Sequence, residues 1–172
     1  EEIDADYVVL VDEIGDAAKI ASQATRYTKN PRDLMMAQQC VKVMEATPYF
    51  KDRFSFQTGA GGPSLAVNRF LEPLLRKYGY AIQWLLGGIS KPAVDMLESG
   101  LVKTIVDAQD FDIPSVQSVH RNPNHFEVST AQYASPSNKG AFVNSLDFVI
   151  LAALEVDIDF NVNVVTGSDG IL

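Results

Sequence analysis

A glycine-rich turn between a strand and a helix is the feature that most restricts how this chain can fold. Residues 54–57 predict a short strand, and residues 58–64, which include three glycines and a proline, follow directly. Apolar side chains then recur at three- and four-residue spacing from Val67 to Tyr78, which predicts a helix with one buried face. A strand that turns tightly into a helix begins a βαβ unit, so we expect a parallel sheet.

The alternation of strand and helix continues after this turn. Residues 81–86 and 101–106 predict strands, and residues 91–99 between them predict a short helix. A near-continuous apolar run at 146–151 predicts a strand that is buried on both faces. Residues 160–165 alternate with period two, so one face of that strand should meet the core. The predicted fold class is α/β, with a mainly parallel sheet covered by helices.

Both ends of the sequence read as cut. Residues 6–11 predict a buried strand close to the start, and residues 15–30 read as a connector without clean periodicity. A helix with Asn30 as N-cap and Pro31 at its first position follows and continues to about residue 46. The last residues stop inside a second glycine-rich turn. We therefore expect a fragment of a longer protein.

Charge and composition exclude several classes of partner. Fourteen Lys and Arg against 22 Asp and Glu give a net charge of −8, which makes nucleic acid a poor candidate because phosphate binding needs cations. No apolar run approaches the about 20 residues that cross a bilayer, so we expect no membrane. Cys40 is the single cysteine, which rules out an intrachain disulfide and favours the cytoplasm.

The glycines at 58–64 are the first candidates for chemistry. The backbone amides around Gly59, Gly61 and Gly62 can approach a ligand closely, and a helix start offers free N–H donors to an anion or oxyanion. A tight turn without a ligand explains the same residues equally well. The segment lacks the third glycine of a dinucleotide-binding fingerprint and the lysine of a Walker motif.

Other possible sites are weaker. His120 and His125 flank an Asn-Pro turn and lack a third ligand, so we predict no metal, and we interpret His125 as a side chain that fixes the turn. Ser64 and Ser168 have no evident His and Asp partners, which argues against a serine hydrolase. Glu155 and its neighbour Asp157 are read as the polar end of a strand rather than as nucleophiles.

Five segments together resemble a known family. They are residues 15–20, 56–67, 121–125, 153–157 and 160–164. Along essentially the whole chain the sequence resembles the alpha chain of bacterial citrate lyase, the citrate CoA-transferase subunit. The resemblance implies a CoA-transferase-like domain at 31–172, truncated at its C-terminal end. Residues 1–30 would be the last strand of a preceding domain and the connector.

The resemblance also implies a reaction and its partners. A carboxylate of citrate would attack the acetyl thioester on the gamma (acyl-carrier) subunit, and the mixed anhydride formed would return a citryl thioester. The beta (lyase) subunit would then cleave that thioester within a hetero-oligomer. No cofactor would bind directly, because the carrier brings a CoA-like prosthetic group for which acetyl-CoA can substitute. Citrate and citramalate are left as alternative substrates, and Arg26, Arg69 and Arg121 as candidate carboxylate clamps.

Related acyl-CoA transferases form a glutamyl thioester, but the matching stretch here, residues 82–89, contains no carboxylate. We therefore expect Gly59, Gly61 and Gly62 to bind the oxyanion without a covalent enzyme intermediate. The residues expected near the thioester or citrate are Gly87, Gly88, Asn161, Asn163, Gly167 and Ser168. The alternatives are a glutamyl-type transferase and a structural or assembly fragment without activity. We expect the isolated fragment to be inactive.

Overall fold

The computed structural model describes residues 5–16, 27–165 and 167. The helices are α1 (Pro31–Glu45), α2 (Gly62–Tyr78), α3 (Lys91–Glu98), α4 (Ile113–Arg121) and α5 (Thr130–Ala134), with a 3-10 helix at Phe142–Ser145. The strands are β1 (Ser55–Thr58), β2 (Trp84–Ile89), β3 (Ile105–Asp110), β4 (His125–Glu127), β5 (Phe148–Ile150), β6 (Glu155–Val156) and β7 (Val162–Asn163).

Five of the strands form one parallel sheet in the order β4-β3-β2-β1-β5. Helix α2 connects β1 to β2, α3 connects β2 to β3, and α4 connects β3 to β4. The predicted α/β class with a mainly parallel sheet is therefore confirmed. Because every strand points the same way, the loops after β1, β2 and β3 meet at one edge.

Local signals explain how α1 and α2 begin and end. The side chain of Asn30 accepts a hydrogen bond from the amide of Arg32 at 3.0 Å, as an N-cap should. Helix α2 ends at Gly79, whose φ of +67° is the left-handed conformation that glycine adopts readily. Pro73 lies inside α2 without ending it, on an exposed position where water can satisfy the carbonyl that loses its partner.

The core lies between the sheet and its helices. Strand β1 contributes Phe56, next to Phe54, and α2 contributes Leu71 and Leu75, all without measurable exposure. The amphipathic pattern predicted for residues 67–78 therefore gives the correct buried face. At the start of β2, Trp84 packs edge-on against Phe142 of the 3-10 helix, with 5.7 Å between the ring centroids.

Neither of two predicted buried strands is buried on both faces in the described residues, while the assignment of residues 1–30 to the end of a preceding domain and a connector stays a prediction. Residues 6–11 pair with no strand in the described part of the chain, and Leu10 is 95% exposed. Apolar composition predicts burial, but a strand also needs a partner. The run at 146–151 forms the shorter strand β5 at the edge of the sheet, where only β1 pairs with it among the described residues. Val149 is 44% exposed there, so this strand is not buried on both faces.

Strands β2 and β3 begin later than the sequence predicts. Ile82 and Val102 form an isolated bridge before the continuous ladder starts, so the apolar residues at 81–86 and 101–106 lead into the strands. The pairing extends instead through glycine and polar residues at the carboxyl ends. This shift matters because it moves Gly87 and Gly88 into β2.

Helix α4 lies in a part of the sequence, residues 111–144, that is rich in Pro, Ser and Asn. Its signal is a capping box, in which the Asp112 side chain accepts from the amide of Ser115 at 3.0 Å. Residues 160–165 form part of a small antiparallel hairpin, β6–β7, with Val162 58% exposed. The prediction that this strand has a core-facing side is therefore wrong for the described residues.

Candidate functional site

A cavity of about 290 Å³ lies at the carboxyl edge of the sheet, after β1, β2 and β3. Open α/β sheets bind their ligands at this edge. The lining residues are Gln57, Thr58, Gly59, Ala60, Gly88, Ala108, Gln109, Phe111, Thr130 and Tyr133. No charged side chain is among them, so the cavity offers hydrogen bonds and apolar contact rather than ion pairs.

Gln57 and Tyr133 form the shortest polar contact in the cavity lining. The side-chain amide of Gln57, on β1, donates a hydrogen bond to the Tyr133 hydroxyl across 2.6 Å. Gln57 is 7% exposed, so its amide is held away from water. Sequence reasoning missed this pair because 76 residues separate the two side chains. The position of Gln57, a polar residue in the short strand directly before the glycine turn, could have indicated it, but no local pattern indicates its partner.

Gly87 and Gly88, predicted to lie near the substrate, support the cavity in different ways. Gly87 has a φ of +112°, and a Cβ there would lie 3.1 Å from the Gln57 side-chain nitrogen. A Cβ on Gly88 would lie only 1.8 Å from the ring of Phe111. The sheet register also shifts between these two glycines, opposite β3. Side chains at either position would displace the residues that shape the cavity.

The three glycines of the turn separate in the structure. Gly59 lines the cavity, but its amide donates to the carbonyl of Ile150 at 2.9 Å and continues the ladder between β1 and β5. Gly61 is the N-cap of α2 and Gly62 its first residue, where an amide has no intrahelical acceptor. The start of α2 borders a second, mainly apolar cavity of about 270 Å³ that Pro63 and Ser64 line.

The remaining predicted substrate residues lie on the β6–β7 hairpin or after it. Asn161 donates from its side chain to Asp157, and this bond is the main reason that the pKa of Asp157 lies below its usual range. Asn163 donates to Glu155 at 3.0 Å. Neither asparagine nor Gly167 lines either cavity. Ser168 lies outside the described residues, and the roles of all four stay predictions.

A cluster of acidic side chains and a histidine joins β3, α4 and β4, next to the uncharged cavity. His125 has its Nδ1 2.8 Å from the Ser118 hydroxyl and its Nε2 3.1 Å from a carboxylate oxygen of Asp107. Both the His125 and Asp107 side chains have no measurable exposure. Burial raises the pKa of the neighbouring Asp110 to about 6; the nearby Asp107 adds to this rise, and a hydrogen bond with Ser115 opposes it.

This cluster changes the interpretation of His125. The side chain joins α4 to β3 instead of only fixing its own turn, although its amide does donate to the carbonyl of Asn122. Asp107, Asp110 and His125 each place one donor atom within 4.8 Å of the others, and in the described ranges they are the group that could hold a metal ion. Shared protons and hydrogen bonds account for the same arrangement.

The candidate carboxylate clamps are dispersed. Arg121 makes an exposed ion pair with Glu98 at 2.6 Å, and Arg69 is exposed on α2. Arg26 lies outside the described residues. Neither Arg69 nor Arg121 lines the cavity at the carboxyl edge. No helix in the described part of the chain is long and apolar enough to cross a membrane.

The described chain is thus an α/β domain with an uncharged, glycine-lined cavity at the carboxyl edge of its parallel sheet. The sequence model of the family "Citrate lyase, alpha subunit (CitF)" matches residues 1–172. The chain belongs to this family.

Curated relatives and a solved structure agree with this assignment. The chain is 54% identical to the citrate lyase alpha chain of Klebsiella pneumoniae over 97% of its length, and 51% identical to that of Escherichia coli K12 over 100%. A crystal structure described as the alpha subunit of citrate lyase from Streptococcus mutans, in complex with citrate, is 52% identical with a TM-score of 0.90. That match covers 97% of this chain and 33% of the other. The chain spans about a third of the length of the curated relatives.

Proposed function

We propose that the full-length protein is the citrate CoA-transferase subunit of citrate lyase and exchanges acetyl for citryl on a thioester. Family membership along the whole chain, together with the citrate bound to the S. mutans relative, supports this proposal. The observation that carries it at the level of residues is the uncharged cavity, lined by Gly59 and Gly88 at the carboxyl edge of the sheet.

The proposed exchange has two balanced steps. A citrate carboxylate oxygen forms a bond to the acetyl thioester carbon, and the resulting tetrahedral oxyanion collapses with cleavage of the C–S bond. The thiolate released then attacks the citryl carbonyl of the mixed anhydride, and acetate leaves. Each step builds negative charge on one carbonyl oxygen, so hydrogen-bond donors that are fixed in place accelerate both.

The composition of the cavity favours this direct route over a glutamyl-thioester route. Covalent catalysis by a carboxylate needs Asp or Glu at the reacting centre. The cavity lining contains neither, and β2 contains no carboxylate along its length. A neutral cavity also suits a thioester chain better than a tricarboxylate, which indicates that cations for citrate come from elsewhere in the full-length protein.

The partners and the acyl carrier complete the proposal. The acetyl group would arrive on the CoA-like prosthetic group of the gamma subunit, or on acetyl-CoA as a substitute, and the beta subunit would cleave the citryl thioester. The protein would then work as part of a hetero-oligomer. Citrate is the proposed substrate.

The test is an exchange assay with the full-length alpha chain, acetyl-loaded acyl carrier and citrate. We expect acetate release together with citryl-carrier formation, and no borohydride-reduced glutamyl or aspartyl adduct in the alpha chain. A reduced adduct at Glu155 or another carboxylate would replace the direct route by a covalent one. Absence of acetate release by the full-length chain would refute the transferase function. We expect no acetate release from the 172-residue chain alone.

A further inference from the structure

The side chain of Tyr133 lies at the proposed acyl-exchange site. Gln57 donates its amide hydrogen to the Tyr133 oxygen at 2.6 Å. The phenol oxygen therefore acts as acceptor in this bond, and its own hydrogen is available to a second group. Tyr133 lines the same cavity as Gly59 and Gly88, so a ligand bound there would lie within reach of that hydrogen.

The surroundings hold this hydroxyl in place. Tyr133 lies on α5, a short helix whose start is fixed by a capping box between Ser129 and Gln132. Asn138 donates to the carbonyl of Ala131 at 2.8 Å and ties the following loop back onto the helix. A donor whose position is fixed before the reaction costs no reorganisation in the transition state.

Gly87 explains why Gln57 can serve as the support. The positive φ of Gly87 and its missing Cβ leave room for the Gln57 side chain, which passes 3.1–3.3 Å from the place where a Cβ would be. Gln57 is buried, so water competes poorly for its amide. When a phenol oxygen accepts a hydrogen bond, its own hydrogen becomes a stronger donor, because the hydrogen bonds in a chain polarise one another.

The amides of the glycine turn leave a role for this hydroxyl. Gly59 is the turn glycine that borders the cavity, and its amide is already used by the carbonyl of Ile150. The amide of Gly59 is therefore already used, and a side-chain hydroxyl of the lining can serve an oxyanion in its place. Tyr133 has its hydroxyl in this lining, and the neutral side chain of Gln57 holds the hydroxyl oxygen.

We infer that Tyr133 donates a hydrogen bond to the carbonyl oxygen of the reacting acyl group, and that Gln57 is a positioning residue for it. The inference rests on the proposed acyl exchange and adds the residue that stabilises its oxyanion. The phenol keeps its proton throughout: the C–O bond to citrate forms, the C–S bond breaks, and the hydrogen bond shortens only while the tetrahedral oxyanion exists.

The principal variant is Tyr133→Phe in the full-length alpha chain, assayed with acetyl-loaded carrier and citrate. We expect kcat to fall on the order of 100-fold with the KM for citrate changed less than about threefold, because the donor acts in the transition state. Tyr80→Phe is the matched control, since Tyr80 packs against Phe50 away from the cavity, and it should retain wild-type kcat. A Tyr133→Phe variant with the same kcat as Tyr80→Phe overturns the inference.

Gln57→Glu is a second variant that keeps Tyr133 itself. An ionised carboxylate at position 57 would accept the phenol hydrogen and withdraw it from the substrate, whereas a protonated one would donate as Gln57 does. We therefore expect the kcat of Gln57→Glu, relative to wild type at each pH, to rise as the pH is lowered from 8 to about 5. A deficit that is constant with pH, or a rise towards high pH, contradicts the positioning role.

These outcomes separate the inference from the function on which it rests. If the wild-type full-length chain releases no acetate, the proposed exchange fails. If the wild type is active and Tyr133→Phe is equally active, the exchange stands and only the role of Tyr133 fails. Circular dichroism of each variant shows whether its fold is retained, and a folded Tyr133→Phe protein with low kcat supports the inference.

Discussion

The two halves of the sheet, β1 with β2 and β3 with β4, differ in the side chains that they place at and near the carboxyl edge. At β1 and β2 the edge is neutral, and glycines keep side chains away from a cavity. At β3 and β4 the chain buries Asp107 and His125 as a contact pair and places Asp110 beside them. The neutral half leaves an open cavity, whereas in the charged half Asp107 and His125 contact each other inside the protein.

Because of this difference, substitutions in the charged half should mainly lower stability, and substitutions in the neutral half should mainly change the cavity. Removing one member of the charged half leaves its partner buried without compensation, which is costly for the fold. Changing the neutral half mainly alters shape and donor geometry. The link between the halves is Asp107, whose second carboxylate oxygen accepts from the amide of Gln109 at 2.7 Å, next to the cavity.

The largest expected effect on stability comes from removing a side chain of the charged half. His125→Ala leaves the Asp107 carboxylate and the Ser118 hydroxyl buried without their partner. We expect the free energy of unfolding to fall by about 3 kcal/mol, measured by chemical denaturation. The matched control is His120→Ala at an exposed position, which should change it by less than about 0.5 kcal/mol. Equal effects of the two variants would show that the cluster does not support the fold.

A smaller effect is expected from filling the neutral half. Gly88→Ala places a Cβ 1.8 Å from the Phe111 ring, so the ring has to move. We expect a loss of about 2 kcal/mol in the free energy of unfolding. Gly140→Ala is the control, since the nearest atom to its added Cβ, Asn138 Oδ1, lies at an ordinary 3.5 Å, and it should change the free energy of unfolding by less than about 0.5 kcal/mol. The double variant Gly88→Ala with Phe111→Ala should lose less than the sum of the two single losses. Strict additivity would contradict the predicted clash.

The smallest expected effect is a pH dependence of stability that arises from Asp110 in the charged half. The pKa of Asp110 is raised to about 6 in the fold, mainly by burial, against an ordinary value of 3.8. A raised carboxyl pKa means that the folded state holds the proton more tightly, so stability falls as the pH rises from about 4 through 6. Asp110→Asn removes this loss. We expect its free energy of unfolding to exceed that of wild type at pH 7 and to match it near pH 4. A difference that is the same at both values would show that another group titrates.

The sequence predicts the neutral half better than the charged half. The order strand, glycine turn, helix at β1 and α2 follows from local chemistry, because glycine conformation and apolar spacing act over a few residues. The cluster around His125 joins α4, β3 and β4, so no short segment contains its signal. Asp112, two residues after Asp110, does carry a local signal for the start of α4, because an aspartate before Ile113 and Pro114 is typical of a helix start.

The predicted site residues divide in the same way. Gly59 and Gly88 border the cavity, which a pattern of glycines at strand ends indicates. The asparagines Asn161 and Asn163 alternate as expected in a strand, but their pairing partner is a short hairpin strand and not the parallel sheet. Alternation defines which residues share a face. It does not define what that face contacts.

The contact between Trp84 and Phe142 provides an optical reporter. Trp84 is the single tryptophan of the sequence, and its ring meets the 3-10 helix that Asn144 joins to the loop after α5. The emission spectrum of Trp84 should therefore change when the segment that carries Tyr133 changes its position against the sheet. Ligand entry beneath α5, or loosening of that segment by a substitution, should register as a shift in fluorescence without any added label.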